Sequence, residues 1–289
     1  MAEPALRALV LGGSGLLGRS LVAEGPKGSV DVLGLSRHEA PLEEPERLDA
    51  LLADEQAGVV VNAAALTDVD GCESRREEAR FINGEAVGGL LEVCRRQGAR
   101  LVQISTDYVF DGTAKVPYRE ADPTAPLSVY GESKLLGERL ALEDPSSLVV
   151  RTSWLFGLTG KSFVTTMIGL MNRGDRRLRV VDDQVGCPTF TPHLARAIWD
   201  LVRREAGGIV HYRDRDPVSW CGFAREIVRR WAPEVRVEAI RTEEMPRPAR
   251  RPSYSVLDVS RAEALLGRPV ASWKAGLEAT LQAERAARS

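Results

Sequence analysis

Cysteine is scarce in this chain: the four present, Cys72, Cys94, Cys187 and Cys221, lie far apart and form no CxxC pair. Zinc-site spacing is therefore excluded, and a disulfide scaffold is a poorer fit than a reduced cytoplasmic protein. Long apolar runs are missing too. None approaches the ~18 residues that a membrane-spanning helix needs, so no membrane association is expected. The opening MAEPALRALVLGG lacks the basic stretch and long apolar segment of a secretion signal. Net charge is −2, and no broad basic stripe is present, so a nucleic-acid partner is not expected. The arginine-rich RPARRPSY at 247–254 is local and reads as a solvated loop. Internal repeats and low-complexity segments are absent, and the tail QAERAARS is expected to fray.

What the chain does have is a core. Hydrophobic residues make up 44% of 289 residues, enough for one large α/β domain with an appendage or for two small domains. ALRALVLGG, VDVLGLSR, GVVVNAAA, ARLVQISTDYVF and SLVVRTSWLFG read as strands. Each is a short apolar run, not an in–out alternation, and helical patterns separate them. That is the signature of a parallel sheet covered on both faces. The fold class expected is α/β, a doubly wound Rossmann-type sheet with a smaller C-terminal substrate-binding lobe. After Gly157 the rhythm changes. Residues 1–155 are assigned to the nucleotide-binding domain and 156–289 mainly to the lobe, with about 190–212 as candidates to return to the first sheet.

LVLGGSGLLGRSL places Gly12, Gly15 and Gly18 between the first strand and a helix. Glycines there permit a tight turn and close backbone approach to a pyrophosphate, while the helix N-terminus offers free N–H groups. Read alone, such a triplet is a tight turn and no more; its position after the first strand makes it a dinucleotide site. The second strand ends in SRHE. An NAD site usually carries an acidic residue at this tip. Ser36 and Arg37 stand here instead, and arginine can neutralise a 2′-phosphate. NADPH is the expected cofactor, with NADH as the alternative, because Glu39 can still reach the ribose. Small residues at the third strand end, Ala63, Ala64 and Ala65, would let the dinucleotide lie close to the sheet.

VYGESKLLGE sets Tyr130 and Lys134 four residues apart on a helix, hence on one face. A free phenol ionises near ~10, and a nearby ammonium lowers that value. Ser105, Thr106 and Asp107 end the fourth strand at the sheet's carboxyl edge, where ligands bind. Thr106 could hold a substrate carbonyl beside the phenol. A YxxxK spacing alone arises often by chance. Combined with the glycine turn and the strand-end Thr106, it reads as a carbonyl reductase: hydride to carbon from a nicotinamide, proton to oxygen from Tyr130.

These stretches, with VNAAALTDVDGCE, VRTSWLFG, DQVGCPT and RPSYSVLD, make the chain resemble the extended short-chain dehydrogenases/reductases. Within them it resembles the dTDP-4-dehydrorhamnose reductase family, over residues 12–258. The resemblance implies NADPH-dependent reduction of the 4-keto group of a dTDP-linked sugar, most simply dTDP-4-dehydro-L-rhamnose. It implies catalytic roles for Thr106, Tyr130 and Lys134, cofactor contacts from Gly15, Leu16, Leu17 and Ala63–Ala65, and sugar-nucleotide contacts from Asp107 and Trp154. The family often forms homodimers, and no amphipathic stripe in the sequence settles that point.

Trp154 can offer an apolar face to a sugar and an indole N–H to a hydroxyl; a core-filling role is the alternative. Arg251 is a candidate for the sugar nucleotide's diphosphate, and DQVGCPT, with Gln184 and Thr189, looks like a loop lining the pocket. Asp68, Asp70 and Glu73 are closely spaced acids; the spacing allows a metal but is not diagnostic of one, so solvent- or substrate-side roles are expected and no metal is assigned. Cys187 stands where small residues are common in the family, and Tyr254 where a smaller polar residue is usual. The second leaves the sugar or nucleotide open. Two rivals remain: a reductase of another nucleotide-linked 4-keto sugar, and a non-catalytic NADP-binding subunit like the regulatory subunit of methionine adenosyltransferase. A 4,6-dehydratase is disfavoured, because Tyr108 and not glutamate follows Asp107.

Overall fold

Short apolar runs that stop at a glycine or a small polar residue become the strands of one sheet. The computed structural model describes residues 6–26 and 29–288; residues 1–5, part of the opening read for a secretion signal, lie outside them. Strands β1 (Leu6–Leu11), β2 (Val30–Leu35), β3 (Val59–Asn62), β4 (Arg100–Thr106) and β5 (Leu148–Thr152) pair in parallel with one another and with Gly208–His211. The six run in the order Gly208–His211, β5, β4, β3, β1, β2.

Eleven helices are seen among the described residues: α1 (Leu16–Ala23), α2 (Pro45–Asp54), α3 (Val69–Ser74), α4 (Arg76–Arg80), α5 (Ala86–Gln97), α6 (Val129–Ala141), α7 (Phe163–Asn172), α8 (Thr191–Arg203), α9 (Trp220–Trp231), α10 (Ser260–Leu266) and α11 (Trp273–Ala286). Alternate residues of each strand enter opposite layers. Ala8, Val10 and Val61 pack on Leu21 of α1 and on Ile198 and Trp199 of α8. Leu9, Leu11 and Val60 pack on Leu48 of α2 and Leu90 of α5. That double cover is why the strands read as unbroken apolar runs. Trp199, 1% exposed, gives its indole N–H to Leu21 O at 2.9 Å, so the largest buried side chain leaves no donor unpaired.

A separate core joins α7, α9 and α11 around Phe156, Phe223 and Trp273. Arg177–Val181 and Arg236–Ile240 pair in parallel beside it. Topology places the crevice: β1 lies between β2 and β3, so the chain leaves β1 to one side and returns on the other, opening a gap above the strands' carboxyl ends.

Two local expectations differ from what forms. ARLVQISTDYVF ends as strand at Thr106, and Asp107–Val109 turn into a 3-10 segment because the Thr106 hydroxyl accepts from Tyr108 N–H. SLVVRTSWLFG breaks after Thr152, since Trp154 has φ +47°, and Leu155–Phe156 pair instead with Thr189–Phe190. Of the tail QAERAARS, residues 282–286 belong to α11, and Ser289 lies outside the described residues.

Candidate active site

The crevice is a cleft of about 600 Å³ that runs from the glycine turn to Trp154 and Trp220. Gly12 turns the chain with φ +76°, and a Cβ there would sit 2.9–3.0 Å from backbone atoms of Ala63 and Ala64. A Cβ on Gly18 would lie 2.1 Å from Gly12 O. The end of β1, the start of α1 and the end of β3 therefore touch backbone to backbone. Helix α1 starts at Gly15 with no side-chain cap and no acidic residue in its first turn, which leaves its first N–H groups for an anion. Gly12, Gly15, Leu16, Leu17 and Ala63–Ala65 line the cleft, and Gly18 lies behind it. This uncapped cradle fits the pyrophosphate of a dinucleotide.

At the tip of β2, Arg37 lines the cleft and is ion-paired with Glu43, which lines it too. Ser36 does not line it; its N–H donates to Glu39 at 2.7 Å, and hydrogen bonds from the Ser36 side chain and then from its N–H hold the Glu39 carboxyl below its usual range.

Opposite, Ser128 caps α6 by accepting from Gly131 N–H at 3.3 Å. Tyr130 and Lys134, one turn apart, both face the cleft, with Thr106 and Asp107 of the β4 end beside them. The electrostatics differ from the simple expectation of an ammonium lowering a phenol. Burial pushes the Tyr130 phenol well above its usual value, and only its hydrogen bond with Thr106 works the other way. Lys134 points its ammonium at Ile104 O, 2.7 Å away, and burial draws it down to about 8 against the pull of Glu138. A phenol that keeps its proton suits a proton donor. Asp107 is 2% exposed, its Oδ2 has no hydrogen-bond partner among the described residues, and burial lifts its carboxyl to about 7.

Trp154 lines the far end, but its indole is not open on both sides. Trp220 stacks on it at 3.6 Å and 8°, and Gly186 lies so near that a Cβ would meet Cε2 at 2.5 Å. Trp220 and Lys161, which also line the cleft, were not singled out in the sequence; nothing local in SWCGFAR distinguishes a cleft tryptophan from a core one. Asn83 was missed as well. It sits in a π turn at Phe81–Glu85 and holds the loop after β3, accepting from Leu66 N–H at 2.8 Å and donating to Leu66 O at 3.0 Å.

Arg251 does not line the cleft. Both of its terminal nitrogens bond the Asp70 carboxylate, at 3.0 and 2.9 Å, behind Tyr108. Asp68 caps α3, and Glu73 accepts from Val129 N–H at 2.9 Å, so the three acids of LTDVDGCE diverge. Gln184 and Thr189 are buried away from the cleft, with Gln184 bonded to Thr242. Tyr254 packs on Tyr118, centroids 6.5 Å apart, and Cys187 is a buried thiol pushed up to about 12.

Trp220→Ala is expected to release the Trp154 indole. An aromatic stack contributes about 0.5–1.5 kcal/mol, so KM for a sugar nucleotide should rise roughly two- to tenfold, with cofactor affinity unchanged. Steady-state kinetics check this, and an unchanged KM would remove Trp154 from the substrate contacts.

Residues 6–286 match the family model described as the RmlD substrate binding domain. A dTDP-4-dehydrorhamnose reductase of Burkholderia thailandensis is 39% identical over 291 residues, 93% of this chain and 96% of that protein. A probable dTDP-4,6-dihydroxy-2-methyloxan-3-one 4-ketoreductase of Streptomyces antibioticus is 40% identical over 279 residues, 94% of this chain and 93% of its own. Among solved structures, a dTDP-4-dehydrorhamnose reductase of Bacillus anthracis in complex with NADP superposes with a TM-score of 0.90 at 32% identity. That match covers 95% of this chain and 98% of the other.

Proposed function

The chain belongs to the RmlD substrate binding domain family, and from that premise we propose that it is an NADPH-dependent reductase of the 4-keto group of a dTDP-linked deoxysugar. The observation that carries the reading is the meeting of Thr106, Tyr130 and Lys134 across one cleft from an uncapped glycine turn. The preferred substrate is dTDP-4-dehydro-L-rhamnose and the product dTDP-L-rhamnose, after the Burkholderia relative.

When bound, the cofactor supplies the hydride that reaches the ketone carbon. Tyr130 delivers the proton to the carbonyl oxygen as that oxygen gains charge, so ketone, hydride and proton sum to the alcohol. Thr106, beside the phenol, holds the same oxygen in line. Lys134, buried and donating to Ile104 O, keeps a positive charge near the forming alkoxide and bonds the ribose next to the nicotinamide. Asp107 and Trp154 grip the sugar nucleotide. Gly12–Gly18 and Ala63–Ala65 seat the pyrophosphate and adenosine. A cytoplasmic location accompanies this reading, and four buried free thiols are consistent with a reducing compartment.

Absorbance at 340 nm tests it directly, with NADPH and dTDP-4-dehydro-L-rhamnose made in situ. Consumption that yields dTDP-L-rhamnose is expected. NADPH binding with no consumption would sink the rhamnose assignment. The Streptomyces 4-ketoreductase, as similar as the rhamnose enzyme, makes another dTDP-linked 4-keto sugar the second substrate to supply.

Arg37 gives the cofactor preference its own test. Its guanidinium is 66% exposed and shared with Glu43, so its gain on a 2′-phosphate is discounted for solvent and competition. Arg37→Ala is expected to raise KM for NADPH about three- to tenfold and to leave KM for NADH nearly unchanged. Equal changes for both would place the 2′-phosphate elsewhere.

A further inference from the structure

The helix ladder that starts with Tyr130 and Lys134 has a third rung. Glu138 follows Lys134 by four residues on α6, so the three share one face, and Glu138 is 1% exposed. Each rung meets one of three consecutive residues at the end of β4. Tyr130 meets Thr106, Lys134 donates to Ile104 O at 2.7 Å, and Glu138 accepts from the Ser105 hydroxyl. Below Glu138, Ser105, Arg151 and His211 are register partners across β4, β5 and Gly208–His211. Arg151 Nε donates to Glu138 Oε1 at 2.9 Å, and Nη2 donates to Oε2 at 2.7 Å.

His211 adds no charge to the row. Burial and Arg151 draw its imidazole down to about 3. Its Nδ1 lies 3.1 Å from Tyr118 O, which can only accept. Nδ1 therefore carries the hydrogen, and Nε2 receives Arg151 Nη1 at 3.3 Å. Other groups near α6 are Cys72 of α3, Asn83 of the π turn, Asp107 at the end of β4 and Glu73, which bonds the helix start. Glu138 favours the charged form of Lys134, against burial.

We propose that Glu138 is a positioning residue for the reductase reaction: clamped by Arg151 and Ser105, it holds the Lys134 ammonium charged and seated on Ile104. The role rests on the reductase reading above. Burying two ions is unfavourable, and an apolar pair of similar volume would fill the same space as stably. What an apolar pair cannot supply is a negative charge one turn below Lys134.

The test compares wild type, E138Q and E138Q/R151M. Removing Glu138 alone strands a buried guanidinium, so E138Q is expected to melt lower; the double variant removes both charges and should recover the wild-type Tm. NADPH affinity, followed by its fluorescence, and kcat/KM are measured across about pH 6 to 10. In wild type both should fall as pH rises through about 8, where Lys134 loses its proton. Loss of the Glu138 charge should move that limb about one pH unit lower in E138Q and in the folded double variant. K134R, always charged, should abolish the limb and so assign it to Lys134. A folded double variant with the wild-type limb overturns the proposal and leaves a purely structural ion pair. Should wild type bind NADPH yet reduce no dTDP-4-keto sugar, the reductase reading fails, while the binding limb still judges Glu138.

Discussion

Tyr130→Phe is expected to lower kcat by about 10²–10⁴-fold, the usual contribution of a positioned acid, with NADPH bound as in wild type. The substitution removes one oxygen from a ring whose place is set by neighbours it retains. Tyr108 meets the ring edge-on at 6.0 Å and 82°, and the α6 start is fixed by Ser128 and Glu73. Folding should therefore be unaffected, and Tm should stay at the wild-type value. The cofactor keeps its cradle on the other wall of the cleft. Only proton delivery is lost. Because burial holds the wild-type phenol well above its ordinary pKa, the donor stays protonated through neutral pH, so the wild-type rate should show no loss from this group as pH rises past 7. Single-turnover NADPH oxidation separates the outcomes. A variant that binds NADPH but reduces within tenfold of wild type would hand proton delivery to another group, with Asp107 the nearest candidate.

Gly18→Ala is expected to act earlier, on cofactor binding and on the fold. The added methyl would lie 2.1 Å from Gly12 O and 2.7 Å from Gly13 Cα. Both contacts are backbone, so no flexible side chain can move aside. Either α1 shifts away from the turn or the turn opens. Overpacking of this kind costs about 1–3 kcal/mol of stability, and each 1.4 kcal/mol that falls on the bound state weakens NADPH tenfold. The expected result is a lower Tm together with a Kd for NADPH raised at least about tenfold, while Tyr130→Phe changes neither. Unchanged NADPH affinity in a folded Gly18→Ala protein would move the pyrophosphate away from this turn.

The sheet was legible in the sequence because its strands are buried on both faces, and such burial writes itself into sequence as apolar runs separated by helical periodicity. The glycine turn was legible for a related reason: backbone approach within van der Waals range excludes side chains, so Gly12 and Gly18 mark it by composition. Tyr130 and Lys134 stood out through helical spacing read together with the glycine turn and the strand-end Thr106. Spacing also held the third rung, Glu138, but as one more glutamate on a helix; its burial against Arg151 depends on the register of β4, β5 and Gly208–His211, which no local pattern encodes. Trp220 was hidden for the same reason. Its stack on Trp154 joins residues 66 positions apart, and the left-handed backbone at Trp154 that permits it carries no sequence mark. Charge balance lay furthest from the sequence. Residue type gave a phenol and an ammonium their ordinary pKa values and suggested one would lower the other. Only the tertiary structure decided that burial dominates both, turned Lys134 onto Ile104, and paired Arg251 with Asp70, because desolvation and pairing are set by what surrounds a group in space.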